Sequence, residues 1–543
     1  GRKLRDYQLE GLNWLAYSWH NRRNSILADE MGLGKTVQTV SLLRYLQREM
    51  EIPGPFLVVV PLSTIAHWQR EVEGWTDMRC VVYHGNADTR DWIRSVEWAE
   101  KPCPSSSASR RFAPTQAFKF QVIITTYEMV ISDLSHLEKI HWKCLVVDEA
   151  HRLKNEEARL YQDLQTMMFD HCVFLTGTPI QNRSRELGAL LHFLEEEKFP
   201  CVDEFEQEYG DMKSKKDVEK LQKVLKPYLL RRVKGDVEKA LPPRVETLIE
   251  VELTGTQKRW YRAVFERNVE CLLGPANLRT KTSLNNLAMQ LRKCCNHPYL
   301  MEGAEEAELK GKELSPDEVM EELILASGKT VLLNKLLPKL KKDGHRVLIF
   351  SQMCRTLDIL EDYLSFMNYS FERLDGGISG PERQAAIDRY SKDDSRFAFL
   401  LSTRSGGVGI NLTAADTVII FDSDWNPQND IQAQARCHRI GQTRKVQGYR
   451  LITKNTYEQQ MFNAASKKLG LDRALLGTMT ATEEVEALLK HGAYHVFLAN
   501  SDDAERQFCE DDIDSILANR SKELVFDDGK SSSKDNALSA FSK

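Results

Sequence analysis

Two patterns of hydrophobic positions alternate along this chain. Short apolar runs stand at 56–60, 121–127, 144–148 and 172–176. Runs with so little polar interruption read as strands covered on both faces. Between them lie longer stretches with apolar residues at helical spacing, at 4–15, 36–45 and 63–75. Strands alternating with helices predict an α/β unit with a mostly parallel sheet. A second alternation begins near Lys329, with strands predicted at 347–350, 371–374, 397–401 and 417–421. The stretch 183–320 reads as helical and charged, with Leu229-Leu230-Arg231-Arg232 inside it. The expected organisation is a first α/β domain with a helical protrusion over 1–232 and a helical bridge with an acidic linker over 233–325. A second α/β domain follows over 326–477, then an acidic C-terminal extension over 478–543. Helices are expected there at 482–492 and 510–519, and the Ser-rich end reads as disordered.

The 543 residues exceed what one core holds, and 42% hydrophobic with 28% charged residues is a globular composition. No apolar run is long enough to span a bilayer, so a membrane partner is not expected. No cleavable apolar leader opens the chain, and Gly1 lies close to the first motif, as in a piece of something longer. Eleven irregularly spaced cysteines do not form a disulfide framework and suit a reducing compartment. Cys294, Cys295 and His297 lack zinc spacing, which favours packing over metal. A net charge of −5 argues against a generally basic nucleic-acid protein but leaves a local basic groove open.

Chemistry concentrates first in Ala28-Asp29-Glu30-Met31-Gly32-Leu33-Gly34-Lys35-Thr36. Gly32 and Gly34 let backbone N–H groups close around phosphates at a helix N-terminus. Lys35 supplies positive charge, and the Thr36 hydroxyl suits Mg²⁺. The general phosphate-loop pattern has a glycine where this chain has Asp29, so an ordinary turn before a helix is the competing reading. Upstream, the amide of Gln8 could read an adenine edge, or be a surface glutamine. Trp68 and Trp75 read as core.

The residues after the predicted strands strengthen the nucleotide reading, since ligands gather at carboxyl ends in parallel sheets. Asp148 is placed to hold Mg²⁺ and Glu149 to polarise the attacking water. An isolated Asp-Glu would be a helix N-cap, but that does not explain a phosphate loop upstream. Leu175-Thr176-Gly177-Thr178-Pro179 adds hydroxyls able to sense the γ phosphate. In the second domain a glycine-rich turn contains Arg404, Ser405 and Gly407, and Gly407 is a candidate for nucleotide contact. Arg436 and Arg439 stand one helical turn apart, so a helix would put both on one face. Such a pair could stabilise the leaving phosphate, or be a solvated basic face.

Taken in order, these motifs resemble the two-lobed motor of helicase superfamily 2 ATPases, and more closely the Swi/Snf-like chromatin remodelers. The resemblance covers roughly residues 4 to 475. Asp29 to Thr36 is similar to that family's own form of the phosphate loop, which accounts for the missing glycine. Asp148-Glu149-Ala150-His151 resembles its Mg²⁺ motif, Leu175 to Asn182 its third motif and Arg436 to Gln442 its arginine-finger motif. Within that family the chain looks most like the chromodomain-helicase-DNA-binding (CHD) group, Kismet-like subgroup. Gln432 to Gln442, Phe421 to Asp430 and Cys509 to Asp514 carry that likeness. Two departures are a glycine-rich 375–380 and the lack in this chain of the paired chromodomains expected upstream, so methyl-lysine reading has no support in it.

The resemblance implies two RecA-like lobes, ATP and Mg²⁺, a nuclear location, and ATP-driven translocation on double-stranded DNA within nucleosomes. It sets no oligomeric state. Candidate contacts to the DNA backbone are Ser63, Thr64, Thr125, Thr126, Arg404, Ser405 and Trp425, each also open to a capping or packing role. The acidic helix face of Asp358, Glu361 and Asp362 could take a basic histone tail, or be solvated. Two alternatives stand beside a remodeler: a duplex translocase that displaces other DNA-bound proteins, and a scaffold whose nucleotide site only holds a conformation. The motifs do not separate the first alternative from a remodeler. Lys35, Glu149, Arg436 and Arg439 speak against the second.

Overall fold

The computed structural model describes residues 3–98, 118–177, 184–209, 221, 223–237, 242, 244–267, 281–378, 380–403, 410–439, 441–469 and 502–526. Two compact units divide between Lys239 and Ala240. Each is built on a sheet of seven strands.

In the first unit the strands are β1 (Ser25–Leu27), β2 (Phe56–Val60), β3 (Cys80–Tyr83), β4 (Val122–Thr126), β5 (Cys144–Val147), β6 (Cys172–Leu175) and β7 (Leu229–Leu230). They run parallel in the order β3-β4-β2-β5-β6-β1-β7. The apolar runs read from sequence supply β2, β4, β5 and β6. Their side chains feed two cores, one per face. Leu57, Val59, Leu145, Val147 and Phe174 join one, and Phe56, Val58, Val60, Val146 and Leu175 the other. This double coverage is why these strands show no polar alternation.

In the second unit the strands are β8 (Arg244–Val251), β9 (Val347–Ser351), β10 (Phe371–Leu374), β11 (Ala398–Ser402), β12 (Thr417–Ile420), β13 (Val446–Thr453) and β14 (Ser521–Phe526). The order is β10-β11-β9-β12-β13-β8-β14, with only the β14–β8 pair antiparallel. Both units are thus mostly parallel sheets flanked by helices, as the alternating pattern predicts.

The structure differs from the sequence reading at β8, which falls inside the stretch expected to be helical. Its Val245, Thr247, Ile249 and Val251 alternate with Glu246, Leu248 and Glu250, an alternation that Leu248 weakens, and Ile249 and Val251 join the second unit's core. Only pairing with β13 and β14 turns that weak alternation into a strand. The C-terminal extension is also built in. Its helices Asp502–Glu510 and Ile513–Asn519 bring Phe508 and Ile516 into the same core. The expected helix at 482–492 lies outside the described residues.

Candidate functional site

The loop from Ala28 to Gly34 leaves the carboxyl end of β1 and enters the helix Lys35–Arg48. Gly32 and Gly34 have φ of 91° and 83°, a left-handed backbone that other residues adopt only at a cost. A Cβ on Gly34 would also lie 2.5 Å from the Gln8 amide nitrogen. Gln8 is therefore placed at the loop. Its Nε2 donates to Leu33 O at 3.1 Å, and the Tyr7 hydroxyl donates to the same carbonyl at 3.0 Å. The Lys35 ammonium donates to Asp29 O at 2.8 Å.

Asp29 faces away from the loop's inner surface. Its fully buried carboxylate accepts from Arg232 Nε at 3.0 Å and from Gln38 Nε2 at 3.1 Å. The segment after β7 continues along the loop, with Ala28 N donating to Leu230 O and Glu30 N to Arg232 O. Lys234 N then donates to the Glu30 carboxylate at 2.8 Å. Asp29 and Glu30 are thus held by the segment that follows β7, with Arg232 standing 203 positions after Asp29.

Asp148 follows β5, in the same row of carboxyl ends as β6 and β1. Burial, then the neighbouring Glu149 carboxylate, pushes its pKa up to about 6. The Trp68 N–H and the Lys35 charge act in the opposite direction. Lys35 and Asp148 therefore share one electrostatic environment. Glu149 sits at φ 50°, a strained conformation for a residue with a Cβ, and its Oε2 lies 3.4 Å from His151 Nδ1. Thr36 is half-buried on the first turn of its helix. Thr176 is buried, and its N–H donates to Leu27 O, which ties β6 to β1. A Cβ on Gly177 would lie 2.6 Å from Met31 Cγ, so this position also packs on the loop. Thr178 to Asn182 lie outside the described residues.

Hard oxygen donors on Thr36 and Asp148, with a lysine close by, are a donor set suited to Mg²⁺ on a phosphate. Among the described residues no group of three or more His, Cys, Asp and Glu side chains is placed to hold a metal ion. His297 accepts from Tyr299 N at 3.2 Å on one ring nitrogen and bonds Leu323 O at 2.9 Å through the other, while Cys294 and Cys295 are buried. That cluster is packing, as its spacing suggests.

Several other candidates turn their polar groups inward. The Thr64 hydroxyl donates to Pro61 O at 2.8 Å, and the Thr125 hydroxyl to Tyr83 O at 2.9 Å. The Thr126 hydroxyl caps the helix Tyr127–Ser132. Ser63 is half-buried, and Trp425 packs on the buried cluster of Tyr261, Phe265 and Leu291. Arg404, Ser405 and Gly407 lie outside the described residues.

The helix Pro427–Gln434 ends before the two arginines, so the shared helical face expected for Arg436 and Arg439 is not formed. They stand in the turn that follows: Arg436 is only 2% exposed, and Arg439, partly exposed, donates from Nε to Ala435 O at 3.0 Å. On the helix Cys354–Phe366, Asp358 and Glu361 share Arg373, whose guanidinium also bonds Asp375, whereas Asp362 is exposed.

One residue near the site escaped the sequence reading. Trp68, expected only to fill the core, donates its indole N–H to Asp148 Oδ2 at 2.8 Å. The available signal was that a buried indole N–H needs an acceptor.

A model of the SNF2-related domain matches residues 7–300, and one of the helicase conserved C-terminal domain matches residues 328–441. The chain is 52% identical to chromodomain-helicase-DNA-binding protein 8 of Danio rerio, covering 98% of this chain and 22% of that protein. It is 53% identical to chromodomain-helicase-DNA-binding proteins 6 and 7 of Homo sapiens, again over 98% of this chain and over 20% and 18% of theirs. The chain spans about a fifth of the length of these curated relatives. A solved structure described as Sulfolobus solfataricus SWI2/SNF2 ATPase core in complex with dsDNA is 26% identical, with 94% of this chain and 97% of that chain covered and a TM-score of 0.41. The family match spans more than half of the chain and includes the glycine loop, Lys35, Asp148 and Glu149. The chain belongs to the SNF2-related domain family.

Proposed function

We propose that this chain is the motor of an ATP-dependent chromatin remodeler, hydrolysing ATP and converting the cycle into movement along double-stranded DNA. The observation that carries the reading is that the glycine loop with Lys35 after β1 and Asp148 after β5 leave the same carboxyl edge of one parallel sheet, with only β6 between the two strands. The backbone of Gly32 to Lys35 cradles the phosphates, and Lys35 leaves Asp29 O for a phosphate oxygen. Gln8, held against the loop, reads the base. Thr36 and Asp148 would hold Mg²⁺, which supplies charge neutralisation on the phosphates when bound. Glu149 accepts a proton from the attacking water, its left-handed backbone aiming the side chain. Arg436, Arg439 and Gly407 keep the roles expected from sequence, with Arg439, partly exposed, the stronger arginine finger.

For DNA, Ser63, Arg404, Ser405 and Trp425 are the proposed contacts, while Thr64, Thr125 and Thr126 shape the loops that present backbone amides. The nucleosome is the proposed substrate in a nuclear setting, and the names of the CHD relatives support DNA binding. A basic histone tail would meet Asp362 directly and compete with Arg373 for Asp358 and Glu361.

The test is ATP hydrolysis with and without duplex DNA or nucleosomes, alongside nucleosome sliding, with Glu149→Gln as control. DNA-stimulated turnover that Glu149→Gln abolishes, with ATP binding kept, supports the motor. Background turnover at saturating nucleosomes overturns it. Displacement of a DNA-bound protein without nucleosome movement favours the translocase reading instead.

A further inference from the structure

We infer that Trp68 is a positioning residue: its indole N–H fixes the orientation of the Asp148 carboxylate for a divalent cation. The inference rests on the reading that Asp148 serves Mg²⁺ at a nucleotide site, and it gives a role there to a residue whose sequence pattern marks it only as core.

Asp148 is held from four sides. Its N–H donates to Val59 O in β2 at 2.9 Å, and the Tyr127 hydroxyl donates to its carbonyl. The carboxylate itself takes one bond on each oxygen. Oδ1 accepts from Glu149 N at 3.0 Å, and Oδ2 from Trp68 Nε1 at 2.8 Å. The first is local and sets one oxygen only. The second arrives from the helix Ile65–Trp75, eighty positions away in sequence, and it stops rotation about the terminal torsion. With both oxygens bonded once, each keeps a lone pair, and these can point in only one arrangement. Donors that hold a metal-binding carboxylate in this way are typically worth about 10- to 100-fold in metal affinity.

Trp68 is suited to this because its ring is itself immobile. It is fully buried in the core that contains Val60, Val72 and Val146. The ring is held by that core while its N–H reaches the Asp148 carboxylate just after β5. Phenylalanine keeps most of that volume and cannot donate. A purely structural tryptophan would affect stability alone. A positioning tryptophan affects how nucleotide binding depends on Mg²⁺.

The experiment measures binding of a fluorescent ATP analogue, mant-ATP, to wild type and Trp68→Phe, first in EDTA and then across a Mg²⁺ titration. Thermal unfolding of both samples is recorded in parallel. The expected result is equal affinity in EDTA and a Mg²⁺ concentration for half-maximal enhancement raised about 10-fold in the variant. Unchanged Mg²⁺ dependence in Trp68→Phe overturns the inference, even if the variant is less stable. Absence of Mg²⁺ dependence in the wild type overturns the reading that Asp148 serves Mg²⁺ and the inference with it, and failure of the wild type to bind mant-ATP at all overturns the nucleotide-site reading. Should Trp68→Phe not fold, benzothienylalanine at position 68 replaces the ring N–H by sulfur at nearly constant shape, and the same shift is expected.

Discussion

Arg232 and Asp29, 203 positions apart in sequence, form a buried ion pair beneath the glycine loop, with Arg232 Nε 3.0 Å from Asp29 Oδ1. The guanidinium also bonds Gln38 Oε1 at 2.7 Å and Tyr7 O, and lies over the Tyr7 ring. This explains the aspartate at a position where the general phosphate loop carries glycine. Asp29 has no left-handed backbone and its side chain points into the domain, so glycine is not required. Even the neighbouring helix makes room: a Cβ on Gly11 would lie 1.9 Å from Gln38 Oε1.

Arg232→Met should cost about 3–5 kcal/mol of unfolding free energy, because it strands a buried carboxylate. Adding Asp29→Asn should recover part of that loss. Denaturant unfolding of the two single variants and the double variant checks this. Additive losses would mean the pair is not coupled.

Asp148→Asn should abolish turnover and remove the pH dependence that this carboxyl gives to stability. In the folded state the Asp148 pKa stands near 6 against an ordinary 3.8, so the native form binds the proton more tightly than the unfolded one. The resulting penalty is absent below the ordinary pKa and complete once the pH has risen through the folded one. Without Mg²⁺ or nucleotide, the stability of the variant relative to wild type should be higher at neutral pH than near pH 4 by on the order of 1–3 kcal/mol, on top of a pH-independent cost for the amide NH2 that meets the Trp68 or Glu149 N–H. Unfolding curves at the two pH values, beside an ATPase assay, measure both effects.

Acid should destabilise the chain through His171, whose buried ring packs edge-on to Trp19 at 5.1 Å. Burial lowers its pKa from 6.5 to about 4. A depressed folded pKa means the neutral form supports stability above pH 6.5 and that support is lost as pH falls toward 4. His171→Phe should flatten the stability slope in that window by roughly 2–3 kcal/mol. Unfolding midpoints for both proteins between pH 7 and pH 4 would show it; parallel slopes would rule it out.

Deleting residues 502–543 should destabilise the second unit and promote aggregation. Lys335 Nζ donates to the carbonyls of Phe508, Cys509 and Asp511 at 3.1, 2.7 and 2.6 Å. Removing Phe508 and Ile516 from the core should cost about 1.5–3 kcal/mol each. Loss of β14 would bare the edge of β8, which favours intermolecular pairing. Thermal unfolding with light scattering checks this, and an unchanged midpoint would contradict it.

The local pattern of residues determined the parts of this protein that depend on local physics. Apolar runs such as Val58 and Val59 mark strands because a parallel sheet is covered on both faces. Gly32, Gly34, Lys35 and the Asp148–Glu149 pair were legible because phosphate chemistry needs those groups at adjacent positions. Tertiary structure decided what depends on partners far along the chain. β8 is a strand because β13 and β14 flank it, although its charged neighbourhood reads as helical. The end of a helix at Gln434 separates Arg436, buried, from Arg439, partly exposed, which spacing alone treats as equivalent. Trp68 meets Asp148, and Arg232 meets Asp29, only after the sheet is assembled. Hydrogen-bond partners across such separations leave no periodic trace in sequence, because nothing local requires them.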